Sequence, residues 1–122
     1  VTWRLTLDAT AVTAYATGSV HVGELLAEIS DEHGPRIAVP TAALITAQVE
    51  DADPDRLWLL VGLKPVDVLP LAGDDWHRHA TTTRLLGGLD RACAALLHAD
   101  GRVDYVLTAV PDVYSGIDTI AI

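Results

Sequence analysis

A chain of 122 residues, half of them hydrophobic, is sized for one compact domain. Its mean hydropathy of +0.30 excludes a disordered chain, and no apolar run reaches the roughly 18 residues a membrane helix needs. Seventeen acids against eight bases give a net charge of −9, which opposes generic, phosphate-neutralising affinity for nucleic acid. The single cysteine, Cys93, excludes an internal disulfide framework and a Cys-based zinc site. The opening VTWRLTLDAT lacks the apolar h-region of a signal peptide. The missing initiator Met admits processing, tag removal or truncation. A soluble, cytoplasmic protein is expected, with no membrane association.

In chain order, the first strand is expected at Leu5–Leu7, extending back toward Thr2 and ending at Asp8. The polar residues at positions 2, 4 and 6 suit a half-covered strand. Residues 9–17 read as a short helix stopped by Gly18. Ser19 then caps a second helix whose Leu25, Leu26 and Ile29 share a face, ended by His33-Gly34-Pro35. Arg36–Val39 is a short apolar strand, and Pro40-Thr41 opens a third helix to about Glu50. The turn DADPD at 51–55 lets its last Asp cap a short helix around Leu57–Leu63.

Val66–Leu69 is the third strand, followed by a helix from about Gly73 to Leu86 that stops at Gly87-Gly88. A helix from Asp90 to Ala99, a strand at Val103–Thr108, a PDVY turn and a last strand at Asp118–Ile122 complete the pattern. Strands alternating with helices predict an α/β fold with a mainly parallel five-stranded sheet covered on both faces. In such a sheet, ligands bind outside the carboxyl ends of the strands, where strand order reverses. Asp8 and Thr108 end strands one and four, and Asp90 opens the helix leading into strand four. Carboxylates converging there repel one another unless a divalent cation such as Mg²⁺ neutralises them, and a metal-bound water is then a nucleophile for a phosphodiester.

These residues resemble a known family. LDATAVTAY, VPTAALIT and LDRACAALLHADG leading into VLTAVPDVY look like the PIN domain, the fold of VapC-type toxins and related nucleases. The resemblance spans nearly the whole chain and implies a three-layer α/β/α sandwich. It also implies an endoribonuclease dependent on Mg²⁺ or Mn²⁺, a hydrolase whose usually four acidic residues hold the metal. Asp8 matches the family's first aspartate and Asp90 a later one, so both stand as catalytic residues and metal ligands. The family's helical glutamate falls on Thr46, with Glu50 one turn on as a substitute. Thr108 matches the threonine of Thr-x-Asp, but Val110 replaces the aspartate, leaving Asp112 two residues beyond. The resemblance further implies an RNA substrate, an antitoxin protein partner and a homodimer.

Each candidate also has a plainer reading. Asp8 can cap the helix at Ala9, Asp90 can favour a helix dipole, and Thr108 can be an ordinary strand residue. Glu50 can be a solvated helix end, Asp112 a turn acid and Cys93 a small buried hydrophobe. The locally basic stretch from Trp76 to Arg91 supplies Arg78, Arg84 and Arg91 as candidates for substrate phosphates. His77 and His79, two apart on a helix, do not form a metal pair. Two function classes are therefore carried forward. One is a metal-dependent, toxin-type ribonuclease, weakened by Thr46 and Val110; the other is a catalytically inactive PIN-like module that binds a protein or dimerises. A receiver or dehalogenase-like phosphatase ranks below both, because Thr10 stands where a second aspartate is needed. The Ala- and Arg-rich composition resembles proteins of GC-rich actinobacteria.

Overall fold

A computed structural model describes residues 2–122. Strand β1 (Trp3–Leu7) leads into helices α1 (Ala9–Ala16) and α2 (Val20–Asp31), then β2 (Ile37–Pro40), α3 (Thr41–Val49) and α4 (Pro54–Val61). After β3 (Val66–Leu69) come a 3₁₀ turn (Gly73–Asp75), α5 (Trp76–Leu86), α6 (Leu89–Ala99) and β4 (Val103–Thr108). A second 3₁₀ turn (Pro111–Val113) and β5 (Thr119–Ala121) follow. The five strands pair in parallel in the order β3-β2-β1-β4-β5. Strand order reverses beside β1, so the crevice between the ends of β1 and β4 is the switch point expected of such sheets.

Side-chain alternation divides the core into two layers. Leu5, Leu7, Ile37, Val39 and Leu107 pack against α1 to α4, through Val12, Leu26, Ile29 and Leu60. On the opposite side, Ala38 and Val106 lie in the smaller clusters that include Ala94, Ala95 and Tyr114 or Trp3 and Val103. The result is the expected α/β/α sandwich. Helix α5 buries none of its residues and rides on α6, which explains its mostly polar sequence. No helix among the described residues is long and apolar enough to cross a membrane.

Three local expectations are corrected. Strand β1 is not half covered: Arg4 is exposed, but Thr6 is completely buried and its hydroxyl has no partner, because β2 and β4 flank the strand within the sheet and α6 packs against it. The short fourth helix begins earlier, at Pro54, and its cap is Asp53, whose Oδ1 accepts from the Asp55 amide at 3.0 Å. Proline at the first helical position loses no bond and has the right φ. The helix expected from Gly73 starts as a 3₁₀ turn and becomes α-helical at Trp76. It ends at Gly87, whose φ of +84° is the left-handed conformation that glycine supplies at helix ends.

One edge of the sheet carries a pH-sensitive contact. Asp67 accepts from Arg36 Nε at 2.6 Å, from Arg36 Nη2 at 2.7 Å and from the Trp3 indole at 2.8 Å. The Arg36 hydrogen bond is the main reason its pKa falls from 3.8 to about 2; Trp3 adds to the lowering and partial burial opposes it. A depressed carboxylate stabilises the fold fully above its unfolded value and loses that contribution as pH falls through the folded one. Urea midpoints are therefore expected to fall between about pH 4 and pH 2 in the parent, and less steeply in Asp67→Asn.

Candidate functional site

Asp8 follows β1 directly and is the N-cap of α1, with extended backbone geometry. Its side chain is completely buried, and both oxygens are in use. Oδ1 accepts from the Thr10 hydroxyl at 2.5 Å and the Ala11 amide at 3.1 Å. Oδ2 accepts from the Thr108 hydroxyl at 2.6 Å and the Tyr114 phenol at 2.8 Å. A carboxylate offers about four lone-pair sites. Here four donors occupy them.

The donors are themselves fixed. Thr108 Oγ1 accepts from the Val110 amide at 3.0 Å, and Thr10 Oγ1 accepts from the Ala109 amide at 2.9 Å. Tyr114 is 3% exposed and packs with Ala94, Ala95 and Val106. Burial, then the Asp8 and Asp90 carboxylates, push its phenol pKa far above the ordinary value, with Arg91 opposing weakly. The phenol therefore keeps its proton and donates it to Asp8 at all ordinary pH.

Asp90 is 6% exposed in the first turn of α6, and its Oδ2 accepts from the Ala9 amide at 2.8 Å. It thus caps α1 from another helix. The approach is close enough that a Cβ on Gly88 would lie 2.8 Å from Asp90 Oδ1, which gives that glycine a steric purpose. Two carboxylates meeting at one edge were expected to need a cation. Here the N-terminus of α1 takes that part. Asp8 and Asp90 accept two of its otherwise unpaired amides, and the partial positive charge there favours anions by about 0.3–1 kcal/mol each.

The remaining candidates are placed as follows. Glu50 is the exposed C-cap of α3, because that helix stops at Val49, and Asp112 is exposed in the Pro111–Val113 turn. Neither joins Asp8 and Asp90: among the described residues no three of His, Cys, Asp and Glu gather closely enough to hold a metal ion. Thr46 is half-buried, and Val110 contributes its amide to Thr108 instead of a carboxylate. Arg78 is held by Asp100 at 2.5 and 3.0 Å, and Arg91 donates to the Leu86 carbonyl at 2.8 Å. Arg84 lies exposed in the last turn of α5. Cys93 is buried, and burial together with Asp90 pushes its thiol up to about 11, which leaves it unreactive.

Mg²⁺ and Mn²⁺ do not fit this donor set. A hard cation needs free oxygen lone pairs and room for several waters. Asp8 has neither to offer while Tyr114 and the two threonines remain in place. Cavities of about 420 Å³ between α3 and α4 and about 230 Å³ beyond the ends of β2 and β3 are lined by other residues. Sequence reasoning singled out Asp8, Asp90 and Thr108 and missed Tyr114 and Thr10 as their partners. Thr10 carried a local signal, two residues after a capping Asp; Tyr114 carried none.

No protein-family model and no curated protein matches this sequence. Seventeen chains of solved structures match the fold. One belongs to VapBC2 from Rickettsia felis bound to a DNA fragment from their promoter. It has a TM-score of 0.64 at 10% identity, covering 96% of this chain and 97% of that one. The chain therefore has a PIN-like three-layer α/β/α fold with an all-parallel five-stranded sheet, as the resemblance implied.

Proposed function

We propose that this chain is a PIN-like module of toxin–antitoxin type that has given up metal-dependent hydrolysis and acts by binding a protein partner. The observation that carries this reading is the closure of Tyr114 onto Asp8, which spends the leading catalytic carboxylate on hydrogen bonds. The loss of acids at Thr46 and Val110 and the net charge of −9 point the same way, since a weakly held cation would have to bring RNA to an acidic surface. The neighbour's occurrence in a VapBC2 complex supports a protein partner.

The competing reading, a divalent-metal-dependent endoribonuclease on Asp8 and Asp90, draws on the meeting of those two residues at the α1 N-terminus. Incubating the purified chain with structured and single-stranded RNA in Mg²⁺ or Mn²⁺ separates the two. The expected result is cleavage no greater than that of an Asp8→Asn preparation. Metal-dependent cleavage that Asp8→Asn abolishes would establish the nuclease instead.

A further inference from the structure

Beyond the carboxyl ends of β2 and β3, beside α6, lies a cavity of about 230 Å³. That is the volume of about eight liquid waters. Burial gives it a closed and an open end: Pro40 and Cys93 are buried, Leu96 and Leu97 are half-buried, and Asp100 and Arg102 are exposed. None of these side chains takes part in the hydrogen bonds of Asp8 or Asp90. An apolar interior with a few polar groups converging on it is the ordinary build of a small-ligand site.

The polar groups are not equally free. Asp100 is gripped by Arg78 at 2.5 and 3.0 Å. That contact is the main reason its pKa falls; burial opposes, and the charges of Arg78, Arg102 and His79 lower it further. Arg102 makes no side-chain hydrogen bond or ion pair of its own among the described residues. Its guanidinium carbon lies 5.0 Å from the centroid of the Trp3 ring. Stacking occupies the flat face of the guanidinium and leaves its N–H edge, the part that grips a carboxylate through two parallel bonds.

His79 also lines the cavity, with its side chain 12% exposed. Its Nδ1 lies 2.9 Å from the Asp75 carbonyl, and the Asp75 carboxylate is 3.5 Å from the same nitrogen. A carbonyl only accepts, so Nδ1 carries the proton, and in the neutral ring Nε2 presents a lone pair. Nε2 has no partner, yet only the Thr6 and Thr83 hydroxyls are sealed away without one among the described residues. Nε2 therefore meets accessible space, and for a side chain this covered the cavity supplies it.

We propose that this cavity binds a small aliphatic hydroxycarboxylate, whether or not Asp8 holds a metal. The carboxylate takes the N–H edge of Arg102 at the open end, and the hydroxyl donates to His79 Nε2. The hydrocarbon part lies against Pro40, Leu96 and Leu97. Other occupants fit less well. Inorganic phosphate has no hydrocarbon part to fill the interior, and a nucleic acid strand is too large for it. A metal ion lacks ligands, since among the described residues no three of His, Cys, Asp and Glu gather closely enough.

The test titrates the full chain with α-hydroxyisocaproate at about pH 8, where an ordinary imidazole is neutral. Amide NMR and calorimetry are the readouts. Saturable shifts are expected at residues 40–42, 69–79 and 93–102. Isocaproate, which lacks the hydroxyl, should bind about fivefold more weakly. The uncharged α-hydroxyisocaproamide should bind at least about tenfold more weakly. Arg102→Gln should erase the preference for acid over amide, and His79→Phe the preference for the hydroxyl. Loss of one preference with the other intact does not follow from a damaged fold. No saturable shift at those residues, equal binding of the amide or of isocaproate, or preferences that survive the two substitutions overturn the proposal. Neither RNA nor metal enters the titration, so its outcome stands apart from that of the cleavage assay.

Discussion

In the presence of a chelator, Asp8→Asn is expected to unfold at a lower temperature than its parent. The Ala11 amide can only donate, so the asparagine oxygen must stay on that side and its NH₂ must face Thr108 and Tyr114. Thr108 Oγ1 already receives the Val110 amide, and the structure gives the buried Tyr114 phenol no other acceptor. Leaving one such group unpaired costs about 1–3 kcal/mol, or several degrees for a domain of this size. Asp8→Ala strands all four donors and should cost more, about 3–5 kcal/mol. The sign is what matters. In a vacant metal site, crowded carboxylates repel, and neutralising one raises stability. A hub of hydrogen bonds gives the opposite result, read directly from thermal or urea unfolding curves.

The second large effect is expected at Tyr114. Removing its hydroxyl in Tyr114→Phe deletes a donor to a buried charge and should cost about 1.5–3 kcal/mol. Removing the ring in Tyr114→Ala also empties the space beside Ala94, Ala95 and Val106, raising the cost to about 3–5 kcal/mol. A double-mutant cycle joining Tyr114→Phe to Asp8→Asn isolates the contact and should show a coupling of about 0.5–3 kcal/mol. Additive effects would mean that the phenol stabilises the fold by packing alone.

Why these two residues differ so much in legibility follows from the chain. A strand of alternating apolar and polar residues ending in Asp puts that carboxylate at the carboxyl edge of the sheet wherever the strand pairs, so Asp8 was readable from seven preceding residues. Asp90 was readable because helix α6 feeds the neighbouring strand. Tyr114 stands 106 residues from Asp8, directly after a 3₁₀ turn, and the sequence PDVY says nothing about which way its ring points. The direction is set by the packing of β4, α6 and β5, which only the assembled fold provides. Thr6 was misread for the same reason: alternation on β1 suggests water, and the tertiary cover excludes it. Glu50 fails to follow its helical face because the helix ends one residue earlier, and element ends are the least sequence-determined feature of a fold.

Charge crowding was legible too, but not its remedy. Two carboxylates near one point invite a cation when only composition is considered. The backbone supplies an alternative, since α1 begins between them and its first amides are unpaired donors. The same local order, strand then Asp then helix, serves either solution. What decides between them is whether the remaining lone pairs face solvent and a cation or are closed by hydroxyls.

The most direct test is the dependence of the parent's unfolding midpoint on Mg²⁺. A ligand that binds only the folded chain at roughly 100 times its Kd adds about 2.7 kcal/mol. With Asp8 fully hydrogen-bonded, the midpoint should be the same in chelator and in excess Mg²⁺ at matched ionic strength. A rise of several degrees with Mg²⁺, lost in Asp8→Asn, would show that the carboxylate is free for a cation and contradict the account.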